Sequence, residues 1–95
     1  MKIIKLDRRY ARANKFSHAL EFTKRECHLR HRVFAPYVKA FRDLYGEDSM
    51  YNPEWVTNKS APFRLFNDNW QWDPQRRRIY FNDPNVMTFV ELKVA

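Results

Sequence analysis

Two adjoining stretches decide the fold: Phe16-Ser17-His18-Ala19-Leu20-Glu21-Phe22-Thr23, and the segment from Arg25 to Tyr45 that follows it. In the first, Phe16, His18, Leu20 and Phe22 fall on one side, and Ser17, Ala19, Glu21 and Thr23 on the other. That period of two is the pattern of a half-buried strand. In the second the period changes, because Leu29, Val33, Tyr37, Phe41 and Leu44 recur at three- and four-residue steps. Gly46, the only glycine, stands where a left-handed C-terminal cap belongs. The spacing predicts one main amphipathic helix over residues 25–45. Pro36 conflicts with an uninterrupted helix, since inside one it removes a backbone hydrogen bond and crowds the preceding turn, at a cost of about 3 kcal/mol. A kink between Arg32 and Pro36, or two shorter helices, is expected.

Working outward, Lys2 to Leu6 is a short β-prone run, and a polar, basic connection leads from it to Phe16. Glu47 to Ala61, with Asn52-Pro53, Asn58 and Ser60, predicts an irregular connection pinned to the core by Tyr51 and Trp55. Beyond it, short apolar runs alternate with turn residues. Phe63–Phe66, Trp70–Trp72, Arg77–Phe81 and Val86–Val94 predict strands, separated by Asn67-Asp68-Asn69, Asp73-Pro74-Gln75-Arg76 and Asn82-Asp83-Pro84-Asn85. The expected fold is α+β in a single domain over residues 1–95. One helix packs on an antiparallel sheet of about five strands, in the order β-β-α-β-β-β.

With 95 residues, 44% of them hydrophobic and 17% aromatic, the chain can close one ring-rich core. Trp70 and Trp72 share one face of their strand, and packing into that core is their expected role. Cys27 is the only cysteine, so no internal disulfide staples the fold, and a reducing, cytoplasmic location is expected. The start, Met1-Lys2-Ile3-Ile4-Lys5, reaches charge too early for a secretory leader, and no apolar run approaches membrane-spanning length. A membrane partner is therefore not expected.

Eighteen Lys and Arg against eleven Asp and Glu leave a net charge of +7. An excess of this size favours polyanions, here nucleic acid or an acidic protein surface. Three clusters carry it. On a helix, Arg25, His28, Arg32, Lys39 and Arg42 would fall within about a third of the circumference, with Asp43 at the border, and could neutralise successive phosphates. Arg76, Arg77 and Arg78 sit at a predicted hairpin tip near Trp70, Trp72 and Tyr80, a combination suited to phosphate contact and base stacking. Arg8, Arg9, Arg12 and Lys15 form the third, in the basic connection, which could fold onto a phosphate backbone. The competing reading of each is structural: a solvated helix face, or an edge strand charged against aggregation.

Cys27 and His31 are four residues apart and would share a helix face. A structural zinc site needs four ligands, however, and the chain holds one Cys and three His in all, so no metal site is expected. His18, on the apolar side of its strand, reads as a hydrogen-bonded core histidine, and His28 and His31 as solvated. No phosphate-cradling loop, dinucleotide fingerprint, nucleophile elbow or zincin signature is present, so neither a catalytic residue nor a cofactor is expected.

Over residues 63–94 the charge and strand pattern resembles small bacterial mRNA-interferase toxins. The resemblance implies RNA cleavage with Arg64, Arg77, Arg78 and Tyr80 at the phosphate. Those toxins carry a pair of helices after the first strand, where this chain has the strand-like Phe16–Thr23. In size, charge and style the whole chain is similar to small accessory proteins of tailed bacteriophages, many of which bind host nucleic acid or disable a host protein. The leading expectation is a small non-catalytic binding protein for nucleic acid. The alternatives are an inhibitor clamped to an acidic host protein, a ribonuclease, and an assembly component that self-associates through a strand edge near Val86–Val94.

Overall fold

The computed structural model describes residues 1–10 and 12–95. In chain order the elements are β1 (Lys2–Lys5), β2 (His18–Glu21), α1 (Phe34–Tyr45), β3 (Ser49–Tyr51), α2 (Glu54–Thr57), β4 (Arg64–Phe66), β5 (Trp70–Asp73), β6 (Arg78–Phe81) and α3 (Val86–Val94). The fold is α+β, with α1 packed on an antiparallel sheet of order β1-β2-β6-β5, while β3 and β4 form a separate two-stranded ribbon. No helix among the described residues is long and apolar enough to cross a membrane.

The register gives the sheet two distinct ends. Lys2, Glu21, Arg78 and Asp73 line up at one, and Lys5, His18, Phe81 and Trp70 at the other. Leu20, Ile79 and Trp72 share the face covered by the helices. There Phe41 lies 5.7 Å from Trp70 and 5.5 Å from Phe81, and Phe34 stacks on Trp72 at 5.2 Å. Trp70 is fully buried and Trp72 half-buried, so both tryptophans serve the core as expected.

The opposite face is covered as well, which the alternation did not anticipate. The connection after β1 folds back over it, bringing Leu6 and Phe16 against Ala19 and Tyr80. Phe16 precedes the first residue of β2, so it escapes the alternation and stacks on Tyr80 at 5.9 Å. A small Ala19 is what leaves room for that cover.

Three expectations are corrected. The helix begins at Phe34, not Arg25; Arg25 to Arg32 forms consecutive tight turns closed by a hydrogen bond from Val33 N to Glu26 O at 2.8 Å. Pro36 explains the late start. In the first turn its missing N–H has no intrahelical partner to lose, so the helix accommodates it without a kink. Gly46 ends α1 at the expected position with a positive φ of 84°, but its ψ of -172° is extended and not that of a left-handed helical cap; its N–H donates to Arg42 O at 2.7 Å.

Val86–Val94 is a helix, not the last strand. An apolar run following a turn suggested a strand, but Val86, Val90 and Val94 recur at four-residue steps, and with Met87 they pack against the α1 side of the core. Burying that stripe outweighs the small intrinsic preference of valine. The strand edge expected there for self-association therefore does not exist. Ser49–Tyr51, expected to be irregular, pairs with Arg64–Phe66, so β4 leaves the meander and the main sheet has four strands.

Candidate polyanion-binding end of the sheet

The segment Thr23–Arg32 leaves the sheet where β2 ends and is folded by local hydrogen bonds. Thr23 and Glu26 hold each other reciprocally: Thr23 N donates to Glu26 Oε1 at 2.9 Å, and Glu26 N to Thr23 Oγ1 at 3.2 Å. This is the exchange of a capping box, with the chain continuing into turns instead of a helix. Cys27 N bonds Thr23 O, His28 N bonds Arg25 O, and both His31 N and Arg32 N bond His28 O. Arg32 takes a positive φ of 42°, which breaks the turns off before α1.

Glu26, the only carboxylate in the segment, is drawn inward. It also accepts the Met1 ammonium at 2.6 Å, and that bond together with the Thr23 N–H holds its carboxyl below the usual carboxylate range. The cations face outward. Lys24, Arg25, Arg30 and Arg32 are exposed, and none has an ion-pair partner among the described residues. His28 and His31, 6.1 Å apart between ring centroids, stand among them. Lys24, Arg25, His28, Arg30 and His31 line one shallow groove. At the turn between the histidines Leu29 is 85% exposed.

The β5–β6 hairpin adds to this end. Phe22 N donates to Arg77 O at 2.8 Å, and Arg77 Nε donates to Phe22 O at 3.2 Å. Arg77 adopts a φ of 57° at the turn, which sets its backbone and guanidinium to meet the same peptide. The hairpin tip is thereby fastened to the exit of β2, one residue before Thr23. Two basic clusters separated in the sequence become neighbours.

Many of the remaining cations are occupied. Arg76 pairs with Asp73 at 3.0 Å, Arg78 with Glu21 at 2.7 Å, and Arg12 approaches Asp73 at 3.8 Å while donating to Gln71 at 3.1 Å. Asp73 is only 5% exposed, so it anchors two guanidiniums across the sheet. Arg9 pairs with Asp7 at 2.9 Å and Arg42 with Glu47 at 3.1 Å. Arg8 is exposed, beside Asp7 and Tyr10, and has no ion pair among the described residues.

No known family, curated protein or solved structure matches the chain.

The predicted stripe is thus divided. Arg25, His28 and Arg32 stay together in the turns, joined by Arg77. Lys39 and Arg42 belong to α1, which runs from beside Trp72 toward Trp70 and carries Arg42 to the far end of the sheet. Arg76, Arg78, Arg9 and Arg12 are brought to carboxylates instead of to a shared open surface. Lys24 was missed because it precedes the stretch read as helix, although on a regular helix it would share the angle of Arg42, and Arg30 because it lies off the stripe. Plain density could have found them: four cations and one acid between residues 24 and 32.

Of the residues that the ribonuclease resemblance implies, Tyr80 is fully buried, Arg78 is paired, and Arg64 projects from the separate ribbon. Arg77 is bonded to Phe22 O and Arg78 lies beside Tyr80, so these three are neighbours, while Arg64 belongs to the other sheet. His18 is half-buried, with Nδ1 2.7 Å from Ser17 Oγ and its ring stacked on Phe81, consistent with a core histidine. Cys27 packs half-buried against the core, where burial pushes its thiol up, and no three metal-ligating side chains meet among the described residues.

Proposed function

We propose that this is a small non-catalytic binding protein whose Lys24–Arg32 segment, with Arg77 beside it, engages a polyanion, most readily the phosphate backbone of a nucleic acid. The observation that carries the reading is the contrast in pairing. Arg9, Arg12, Arg76 and Arg78 each face a carboxylate, while Lys24, Arg25, Arg30 and Arg32, gathered on adjoining turns, have no ion-pair partner among the described residues. Four unneutralised cations on adjoining turns repel one another, and a phosphate chain relieves that repulsion while releasing its counterions. With their rings committed to the core, Trp70 and Trp72 add no stacking, so the contact is to backbone phosphates and tolerant of sequence.

Fluorescence anisotropy with labelled single-stranded RNA, single-stranded DNA and duplex DNA, over about 50 to 200 mM salt, tests this directly. The expected result is affinity that falls steeply with salt for at least one of them. No binding to any at the lowest salt would end the nucleic-acid reading. A second reading, an acidic protein surface such as that of a host enzyme, draws on Leu29, whose exposed apolar side chain among cations suits a protein partner. It predicts salt-sensitive capture of one protein and no oligonucleotide affinity.

A further inference from the structure

The β3–β4 ribbon, whose strands are connected through α2, presents apolar side chains that the fold leaves uncovered. Met50, Tyr51, Val56, Phe63, Leu65 and Phe66 are between 44% and 60% exposed. A contiguous patch of this kind marks a contact surface, where a lone exposed side chain would not. Cross-strand pairing puts Tyr51 and Phe66 on one face and Met50 and Leu65 on the other. A rigid partner covers one such face, whereas a fluid phase covers both at once.

The tip of the ribbon satisfies its polar groups internally. Asn52 is only 4% exposed and closes the tip from inside: Nδ2 donates to Pro62 O at 2.8 Å, Oδ1 accepts from Glu54 N at 3.1 Å, and its backbone N–H donates to Phe63 O at 3.1 Å. Asn58 acts alike, its N–H donating to Glu54 O at 2.9 Å and its Oδ1 accepting from Ser60 N at 3.1 Å. Pro53 and Pro62 have no N–H to satisfy. Backbone groups that find partners inside their own segment can leave water at low cost.

Cations rim the rings. Lys59 Nζ lies 3.6 Å over the Trp55 ring and Arg64 Cζ 6.0 Å over Phe63; Lys15 Nζ, which also approaches Asp68 at 3.9 Å, lies 5.5 Å over Phe66. Between residues 49 and 66 the one carboxylate is Glu54, against Lys59 and Arg64. Rings and aliphatic groups edged by Lys and Arg match the depth profile of a bilayer surface, apolar beneath and anionic above. Nucleobases fit less well. Tyr51 and Trp55 stand at 85° and 87° to the Phe63 ring, so ring faces are taken up by neighbouring rings and cations, and Met50, Val56 and Leu65 offer no face for stacking.

We propose that the tip of the β3–β4 ribbon docks on the surface of an anionic phospholipid bilayer, Tyr51, Val56 and Phe63 entering the interface while Lys59 and Arg64 meet lipid phosphates. Such a contact lies on the membrane and needs no spanning segment. The ribbon joins the sheet at the Trp70 end, where Trp70 Nε1 donates to Gly46 O and Asn67 Nδ2 to Tyr45 O, each at 2.8 Å. The basic turns leave from the opposite, Glu21–Arg78 end. Docking through the ribbon therefore leaves them free for a polyanion.

Cosedimentation with phosphatidylcholine vesicles containing about 30% phosphatidylserine, without nucleic acid, tests this independently of the function proposed above. Half of the protein should sediment at on the order of 0.1–1 mM lipid, the range of a single acyl anchor. K24Q/R25Q/R30Q/R32Q, which removes the other basic surface, should keep that affinity within about threefold, because those charges are screened from a bilayer at the far end. Val56→Ser should weaken binding about fivefold and K59Q/R64Q about tenfold, all three at sites too exposed to threaten folding. Brominated lipid should quench Trp55 but not Trp70 or Trp72 in the core, so quenching should vanish in Trp55→Phe. No sedimentation at about 1 mM lipid, or quenching that survives W55F, would overturn the proposal. So would sedimentation that is lost in K24Q/R25Q/R30Q/R32Q yet indifferent to V56S and K59Q/R64Q, or an oligonucleotide affinity that falls in V56S while vesicle binding is unchanged.

Discussion

Phe22 and Arg77 lie 55 residues apart and hold each other by two hydrogen bonds, Phe22 N to Arg77 O and Arg77 Nε to Phe22 O. This exchange extends the β2–β6 pairing past Glu21–Arg78 and fastens the hairpin tip beside the basic turns. It also requires a left-handed residue at position 77. Arg77→Ala should cost about 1–2 kcal/mol through the lost charged hydrogen bond, the strain of the positive φ being the same for alanine as for arginine. Arg77→Gly should be milder by up to about 1 kcal/mol, because glycine takes that φ freely. Urea midpoints of the two variants check the order. Equal losses would mean that the backbone conformation contributes nothing.

Replacing Lys24, Arg25, Arg30 and Arg32 by glutamine should leave stability within about 0.5 kcal/mol, since exposed cations without partners hold nothing in place. The slope of log affinity against log salt should shrink by up to about four counterions. Arg42→Gln, at the far end of the sheet, should leave the slope unchanged. Anisotropy titrations at several salt concentrations distinguish the two.

Asp73 joins the hairpin to the β1–β2 connection through Arg76 and Arg12. Asp73→Asn should destabilise by about 2 kcal/mol, less than a fully buried pair would lose because both arginines are partly solvated. The loss should appear in thermal or urea unfolding without a matching loss of oligonucleotide affinity at temperatures where the variant is folded. A parallel fall in affinity would place Arg76 or Arg12 in the binding surface.

Glu26 gives a pH signature. Its folded carboxyl titrates below the unfolded one, so the stabilisation is complete above the unfolded value of about 4.3 and disappears as pH falls through the folded value. The unmodified protein should therefore lose stability relative to Glu26→Gln as pH is lowered from about 5 to 3, and the two should differ by a constant amount above about pH 6. Parallel unfolding curves through the acid range would show that Glu26 does not hold the segment.

Most of the fold is legible in local patterns. The alternation around Leu20, the three-and-four spacing from Val33 to Leu44 and the turn residues flanking β5 and β6 each report an element that forms where they lie. The failures are tertiary. Arg25 to Arg32 continues the helical spacing of α1 through Leu29, but Pro36 moves the helix start downstream, and Leu29 points into solvent instead of the core. Val86–Val94 looks β-prone until its four-residue stripe finds α1 to pack on. The basic end was half legible: Arg25, His28, Arg32 and Arg77 were recognisable as cations, but their meeting depends on the Phe22–Arg77 bonds, and the pairing of Arg12, Arg76 and Arg78 depends on which carboxylates the sheet register brings opposite them.

The most direct measurement is an NMR titration of the 15N-labelled protein with a short mixed-sequence oligonucleotide at low salt, followed residue by residue. The account predicts amide and arginine side-chain shifts concentrated on Lys24 to Arg32 and Arg77, with β1, Arg42 and the Lys59–Arg64 region unmoved. Shifts centred on Arg8, Arg42 or Arg64, or none at any concentration, would contradict it.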